Sequence, residues 1–499
     1  MLEKVIESIK NLILSFNGLL WGKMITVNVG DSVVELSLLV IMLIPTGIYF
    51  IFKTRFLPFR LFPEMIRCVL EPKNSENKES ISGLQALFIA TASRVGMGNL
   101  AGVVAAISFG GAGAIFWMWL AALIGSATAF IESTLAQIYK QKDPLYGGFR
   151  GGPAYFMDRI RIITWIKNED EYVKDIKKEA KYLSVDGKKF YTRGGRFKIL
   201  GTSFALSGLL CWAGISQIIA NSVSQSFKNA FNFPPLYTTI GLVLLSGIII
   251  LKKDGIVSVL NKMVPVMAIF YFSITLLIII KNIRLLPEMF EAIFVQAFGF
   301  RQAVAGGFGA ILMQGVKRGL FSNEAGSGSA PCAAAAADVS HPVKQGLIQA
   351  LGVFIDTLVI CSCSAFIMLL APVSVTKGLM GMDLLQAAMN HHLGRMGVIF
   401  IAIILFVFSI STFLGIMFYA RGNIAYVFGD NVKSQNIYKL FALGMLFAGG
   451  LAQYTFVWEL GDLGVGLMTV FNIIAIIPLS GQAIASLKDY ESNYMKKTK

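Results

Sequence analysis

The chain has 499 residues, 55% hydrophobic and only 15% charged, with a mean hydropathy of +0.66, which excludes an ordinary soluble protein of this length. A net charge of +15 does not mark a nucleic-acid binder, because the basic residues sit between apolar runs, where membrane orientation explains them. Three histidines, five cysteines with no CxxC pair, and no Walker A or HExxH motif speak against an enzyme, a transition-metal centre, an organic cofactor and disulfides.

Residues 1–32 form an N-terminal segment placed outside the membrane, of which 1–20 read as a short amphipathic surface helix. Asn17 breaks its apolar run and no small-residue cleavage site follows, so it is not a signal peptide. Eleven spans follow, at 33–52, 83–108, 114–139, 199–226, 236–251, 256–280, 303–321, 346–370, 396–420, 437–452 and 456–485. Most approach the roughly 20 residues that cross about 30 Å of hydrocarbon. The run near 303 is the least apolar. Segment 53–82 is a loop with six Lys and Arg, and 140–198 is a long polar loop with fifteen, its stretch 165–178 reading as a short helix in a solvated connector. With the N-terminus outside, all outer segments hold nine basic residues, so the bias sets the N-terminus out and the C-terminus, with tail 486–499, in.

The second span contains Arg94-Val-Gly-Met-Gly-Asn-Leu-Ala-Gly102, an Arg and several Gly at bilayer depth. Charge there is expensive and irregular backbone survives only when it is buried or lines a cavity. A second Gly-rich stretch, Ala303-Val-Ala-Gly-Gly-Phe-Gly-Ala310, lies five spans later in a span of opposite direction. Two interrupted spans in halves of opposite topology point to an inverted-repeat transporter, with the halves at 83–281 and 282–485 and the first span, with its loop to 82, as an extra. Half-helix ends at such breaks suit a carboxylate and Na⁺. The expected ligand site lies between Gly96, Met97, Gly98 and Asn99 and Gly306, Gly307 and Gly309. The other reading of the glycines is tight helix packing, as in the GxxxG of Gly98–Gly102.

Among polar residues in spans, Arg94 has three readings: a structural pair with Asp356 or Glu132, part of a gate, or a substrate contact. Asp356 reads as an ion ligand, a helix-packing partner or a proton site. Ser411 and Thr412 either bond their own helix carbonyls or complete a Na⁺ site with the carbonyls of Thr91 and Val95. Lys317 and Arg318 suit the inner end of a span. Ser322-Asn323-Glu324 resembles a helix cap ahead of a small-residue helix at 333–337.

Three stretches together resemble the alanine or glycine:cation symporters, also called the sodium:alanine symporter family. They are Arg94–Val103 continuing to Gly111–Trp119, Gly151-Gly-Pro-Ala-Tyr155, and Lys317-Arg-Gly-Leu-Phe-Ser-Asn-Glu-Ala-Gly326 with His341-Pro and Asp356-Thr357 beyond. The resemblance covers 20–160 and 200–485. It implies an all-α membrane protein with a LeuT-type fold of five plus five inverted helices and one extra N-terminal helix. It also implies a functional monomer in the plasma membrane that imports a small neutral amino acid with Na⁺, or in some members H⁺, as the coupling ion. Three positions depart from the family pattern: Met97 stands where a small hydroxyl residue is usual, Ile219 near a usual Gln, and Gln314 near a usual aromatic. Glycine, serine and glutamine therefore stay open beside alanine as substrates.

Overall fold

A computed structural model describes residues 2–29, 32–71, 80–159, 183–185, 188–190, 198–252, 255–298 and 307–495. Gly306 lies outside them, with most of loop 140–198, including 165–178, and tail residues 496–499.

Helix α1 (Leu2–Trp21) is followed by an antiparallel hairpin of β1 (Ile25–Val29) and β2 (Ser32–Leu36), and then by α2 (Leu38–Lys53). The hairpin occupies the first residues of the span expected at 33–52. Ser37 caps α2 by accepting the Val40 N–H, so the helix starts after the strand.

Helix stands at every other expected span. α3 (Gly83–Arg94) begins with a reciprocal capping box in which Ser82 Oγ accepts from Gln85 N and Gln85 Oε1 from Ser82 N. After a break, a π-helical turn (Met97–Gly102) leads into α4 (Val103–Gly110), bent 44° from α3. Then come α5 (Gly113–Ile138), α6 (Lys198–Phe231), α7 (Pro235–Leu251) and α8 (Gly255–Lys281).

The second half runs through α9 (Leu286–Ala297), α10 (Gly307–Asn323), α11 (Ala330–Ala336), α12 (Pro342–Phe354), a π-helical turn (Ile355–Cys361) and α13 (Ser362–Leu369). It closes with α14 (Gly381–Leu393), α15 (Arg395–Phe428), α16 (Val432–Leu451) and α17 (Tyr454–Asp489). Among the described residues, six helices are long and apolar enough to cross a membrane, seven if the bent pair counts as one. The two halves share a rhythm. Each contains a broken helix, α3–α4 and α10–α11, and later a 34-residue helix, α6 and α15, followed by a shorter one.

The inner helices pack backbone to backbone. A Cβ at Gly464 of α17 would sit 2.3 Å from Cys211 Cα of α6. Small residues at such crossings are how helices associate where lipid removes the hydrophobic drive. Leu244, Ile248, Ile269 and Phe270, on α7 and α8, stay exposed, as a lipid-facing surface requires.

Gly464→Leu drives a side chain into the α6 backbone. Overpacking of this kind costs about 1–3 kcal/mol or more, so the detergent-solubilised variant should melt several degrees below the parent. An unchanged melting temperature would contradict the close α6–α17 crossing.

Candidate functional site

The first break follows from three residues. α3 ends at Arg94, Val95 turns extended, and Gly96 takes φ +146°, a conformation an L side chain rarely adopts. A Cβ on Gly96 would also sit 2.5 Å from Thr412 Oγ1 of α15, so glycine serves both the turn and the approach of the two elements. Beyond it the backbone is π-helical, a form that concentrates at functional sites.

Among the described residues, no break falls at Gly307–Ala310. α10 runs unbroken from Gly307 to Asn323, and the interruption comes at 324–329, before α11. Glu324, Gly326 and Gly328 all have positive φ. A non-glycine residue in that region stores strain of roughly 1–3 kcal/mol and needs surroundings that hold it. The expected cap at Ser322-Asn323-Glu324 is instead the end of α10. Asn323 Oδ1 accepts the Ala325 N–H, and Ser327 Oγ donates to the Glu324 carbonyl. Sequence carried this signal in Gly326-Ser-Gly-Ser-Ala-Pro331, where Gly and Ser ahead of Pro mark a loop more firmly than isolated helical glycines.

The described residues bring Gly96–Asn99 against the end of α10 and not against Gly309, while Gly306 lies outside them. A Cβ on Gly98 would meet Ser322 Cα at 2.7 Å, so the first break rests on the C-terminal end of α10. Gly309 abuts the backbone of Glu35 in the hairpin, 13 residues and roughly 20 Å up the helix from Ser322. Gln314 lies against Gly110 at the end of α4, nearly three turns short of the break. Met97 and Ile219 are buried.

Where the breaks meet, polar side chains form a closed network. Asn99 Nδ2 donates to Asp356 Oδ1 at 2.9 Å and to the Asp356 carbonyl at 3.3 Å. Ser322 Oγ lies 2.8 Å from both Asn99 Oδ1 and Asp356 Oδ2. Ser364 Oγ donates to the Asn99 carbonyl at 2.6 Å, and Asn323 Nδ2 to Thr357 Oγ1 at 3.2 Å. The π-helical turn at Ile355–Cys361 thus faces the one at Met97–Gly102.

Arg94 is fully buried, and its partner at ion-pair distance is neither Asp356 nor Glu132 but Glu324, with Nε 3.6 Å from Oε2. The Glu324 carboxylate also accepts from Ser93 Oγ and, at 3.1 Å, from the Tyr419 hydroxyl. This clamp ties α3, the second break and α15 together and holds the strained residue. Glu132 of α5 accepts from the Gly326 N–H at 3.3 Å and from Asn472 Nδ2 at 2.7 Å, bracing the same loop from the other side.

Thr412 Oγ1 of α15 reaches the carbonyls of Ala92 at 3.1 Å and Val95 at 3.5 Å. Ser411 Oγ bonds its own helix at the Phe408 carbonyl, 2.7 Å away. The Thr91 carbonyl accepts the Val95 N–H. The structure therefore brings Thr412, Val95 and the unexpected Ala92 together, and turns the Ser411 hydroxyl back onto its helix.

Access differs between the two faces. On the face away from α1, a cavity of about 500 Å³ is lined by Asp143, Tyr146, Arg150, Asn261, Cys332 and Tyr419, the last of which bonds Glu324. On the α1 face the way is blocked. Arg318 holds Asp462 of α17 with two bonds of 2.9 and 3.2 Å, and Lys317 joins at 2.7 Å. The Arg318 guanidinium stacks 4.3 Å over Trp458, and Trp458 packs on Phe321 at 5.0 Å between centroids. Trp21 Nε1 donates to the Asp462 carbonyl, and Asn17 Nδ2 to Glu459, so α1 seals the top. Lys317 and Arg318 thus lie within α10, paired with Asp462, rather than at a helix end. They sit in the lid above the second break.

Comparison with known proteins follows this geometry. The sodium:alanine symporter family matches residues 21–499. The probable sodium/glutamine symporter GlnT of Bacillus subtilis is 41% identical over 493 residues, 98% of this chain and 91% of its own. The amino-acid carrier protein AlsT of the same organism is 41% identical over 452 residues, 90% and 88% of the two chains. The sodium/alanine symporter AgcS of Methanococcus maripaludis is 33% identical over 475 residues, 93% and 96%. A crystal structure of a manganese transporter from Eremococcus coleocola superposes with a TM-score of 0.49 at 11% identity, over 83% of this chain and 80% of that one.

Removing one partner of a buried ion pair leaves uncompensated charge, at about 3–5 kcal/mol. Asp462→Asn strands both Arg318 and Lys317 and should lower thermal stability far more than Glu491→Gln, whose surface pair with Arg60 is worth at most about 1 kcal/mol. Equal losses in a melting assay would contradict the buried lid.

Proposed function

Because the chain belongs to the sodium:alanine symporter family, we propose that it imports a small neutral amino acid of the alanine or glycine class, driven by Na⁺, through alternating access. The single observation that carries this reading is the meeting of two broken helices, Gly96–Asn99 against Phe321–Ser329, in the middle of an all-helical bundle. There the free N–H and C=O groups of half-helix ends are available to a zwitterion and a cation. The shared rhythm of the two halves supports a LeuT-type arrangement of five plus five helices with α2 as the extra span, eleven in all, and Lys and Arg counts support an N-out, C-in orientation in the plasma membrane. In that orientation the 500 Å³ cavity faces the cytoplasm and the Arg318–Asp462 lid is the closed outer gate, so the conformation is inward-facing.

The amino acid binds between Gly96, Met97, Gly98 and Asn99 of the first break and the backbone from Phe321 through Ser329, with Met97 narrowing the pocket toward short side chains. Na⁺ binds where Thr412 Oγ1 meets the Ala92 and Val95 carbonyls, a junction of α3 and α15 that would part when the two move. Glu324, held by Arg94, Ser93 and Tyr419, positions the second break. Downhill Na⁺ entry then drives uptake because Na⁺ and substrate favour the same outward conformation. Glutamine is the second reading, favoured by the 41% identity to GlnT.

Purified protein in liposomes should accumulate labelled alanine or glycine above equilibrium under an inward Na⁺ gradient, with serine and glutamine as comparators. If none of the four accumulates with a folded protein, the reading fails. Thr412→Ala should raise the Na⁺ concentration for half-maximal uptake about tenfold, roughly 1.4 kcal/mol. Ser411→Ala, whose hydroxyl bonds its own helix, should change it much less, and the reverse ranking would move the cation site.

A further inference from the structure

The Asn99–Ser322–Asp356 triangle contains one proton fewer than its geometry needs if Asp356 is ionised. The orientation of the Asn99 amide is fixed, because Nδ2 faces two oxygens of Asp356, its carbonyl at 3.3 Å and its Oδ1 at 2.9 Å, and the carbonyl can only accept. Asn99 Oδ1 therefore points at Ser322 Oγ, 2.8 Å away, and Asp356 Oδ2 lies at the same distance on the other side. A hydroxyl has one proton to donate. With a carboxylate, one of the two 2.8 Å contacts would bring lone pairs together inside a site sealed from water, where such a mismatch costs most. No metal ion fits on the line between oxygens 2.8 Å apart, since oxygen ligands stand more than 2 Å from a hard cation.

A proton on Asp356 Oδ2 resolves the conflict. Asp356 Oδ2–H donates to Ser322 Oγ, Ser322 Oγ–H donates to Asn99 Oδ1, and Asn99 Nδ2–H donates to Asp356 Oδ1. The ring then closes with every donor matched. The charged and titratable groups around it are Arg94 from α3, Glu324 from the second break, Glu132 from α5 and Cys361 on the same π-helical turn, whose Sγ is 2.9 Å from Ser322 Oγ. Arg94 is engaged with Glu324, and Glu132 with Gly326 and Asn472. α10, α13 and the first break contribute Ser322, Ser364 and Asn99, all uncharged. Among the described residues no cation pairs with Asp356.

We infer that Asp356 is a proton-binding site, held as a neutral carboxylic acid by the Ser322–Asn99 ring in this conformation and deprotonated when the ring opens. Each corner belongs to a different element: the first break, the end of α10 and the π-helical turn after α12. Any rearrangement that separates the two breaks must open the ring. The O–H bond of Asp356 then breaks, its proton passes to water entering the site, and the electron pair stays on Oδ2. The transport cycle thus includes one proton release and rebinding at Asp356, apart from the Thr412 junction. This second half rests on the transport reading above, whereas the neutral acid does not.

Asp356→Asn tests both halves, because its amide Nδ2 can donate to Ser322 Oγ and its Oδ1 can accept from Asn99, reproducing the protonated ring. Infrared difference spectra of the purified protein should show a neutral-carboxyl carbonyl band that the variant lacks. Coincident spectra overturn the proton assignment, whether or not the protein transports anything. In liposomes, Na⁺-driven uptake by the parent should fall at least tenfold as the pH is raised, and substrate addition should move protons reported by an entrapped pH dye. In Asp356→Asn both the pH dependence and the proton signal should vanish. An unchanged pH profile in the variant overturns the release step, and a failure of uptake in the parent at every pH would instead count against the transport reading while leaving the infrared result to stand.

Discussion

Everything in this molecule hangs on one constraint: a broken helix at membrane depth must find partners for its backbone inside the protein. Two such breaks lie against each other here, and the helices packed around them supply partners for their backbone. Ser364 Oγ takes the Asn99 carbonyl, and Thr412 Oγ1 takes those of Ala92 and Val95. The Glu132 carboxylate receives the Gly326 N–H. Separating the breaks exposes these groups, which is affordable only if water, substrate or ion replaces the lost partners.

The charged residues fit the same logic. Arg94 and Glu324 could each have stood alone only at high cost, since a buried unpaired charge is among the most expensive features a fold can carry. Paired, they clamp a loop whose Glu324 sits in a strained backbone conformation. The Arg318, Lys317 and Asp462 group does the equivalent work one layer up, beneath α1. Between these two layers lies the junction of the breaks, where Asn99, Ser322 and Asp356 are buried.

The helices themselves were legible in the sequence because long apolar runs have few alternatives in a bilayer. Among the described residues helix lies in each of the eleven runs, though a hairpin takes the first residues of the run at 33–52 and six helices are long and apolar enough to cross a membrane, and the break at Gly96 was evident from an Arg and clustered glycines where a plain span would have neither. Misreading the second break had a physical cause. Gly306, Gly307 and Gly309 look like helix breakers, yet Gly309 serves only to let the hairpin backbone at Glu35 come close, and a helix tolerates glycine at about 1 kcal/mol. The true interruption, at Glu324–Ser329, was hidden by polar residues that also suit a helix cap.

What the sequence determined by itself is the class of molecule: its apolar runs, the first break, and the motifs that place it with the sodium:alanine symporters. These depend on composition and local order, which a chain carries without folding. The partners were decided only by tertiary structure. Nothing local says that Arg94 meets Glu324 230 residues away rather than Asp356 or Glu132, that Thr412 faces Ala92 while its neighbour Ser411 turns back on its own helix, or that Arg318 closes a lid on Asp462. Those choices are made by which helix faces pack together, and hydrogen bonds and ion pairs then take whatever partner that packing brings within about 3 Å.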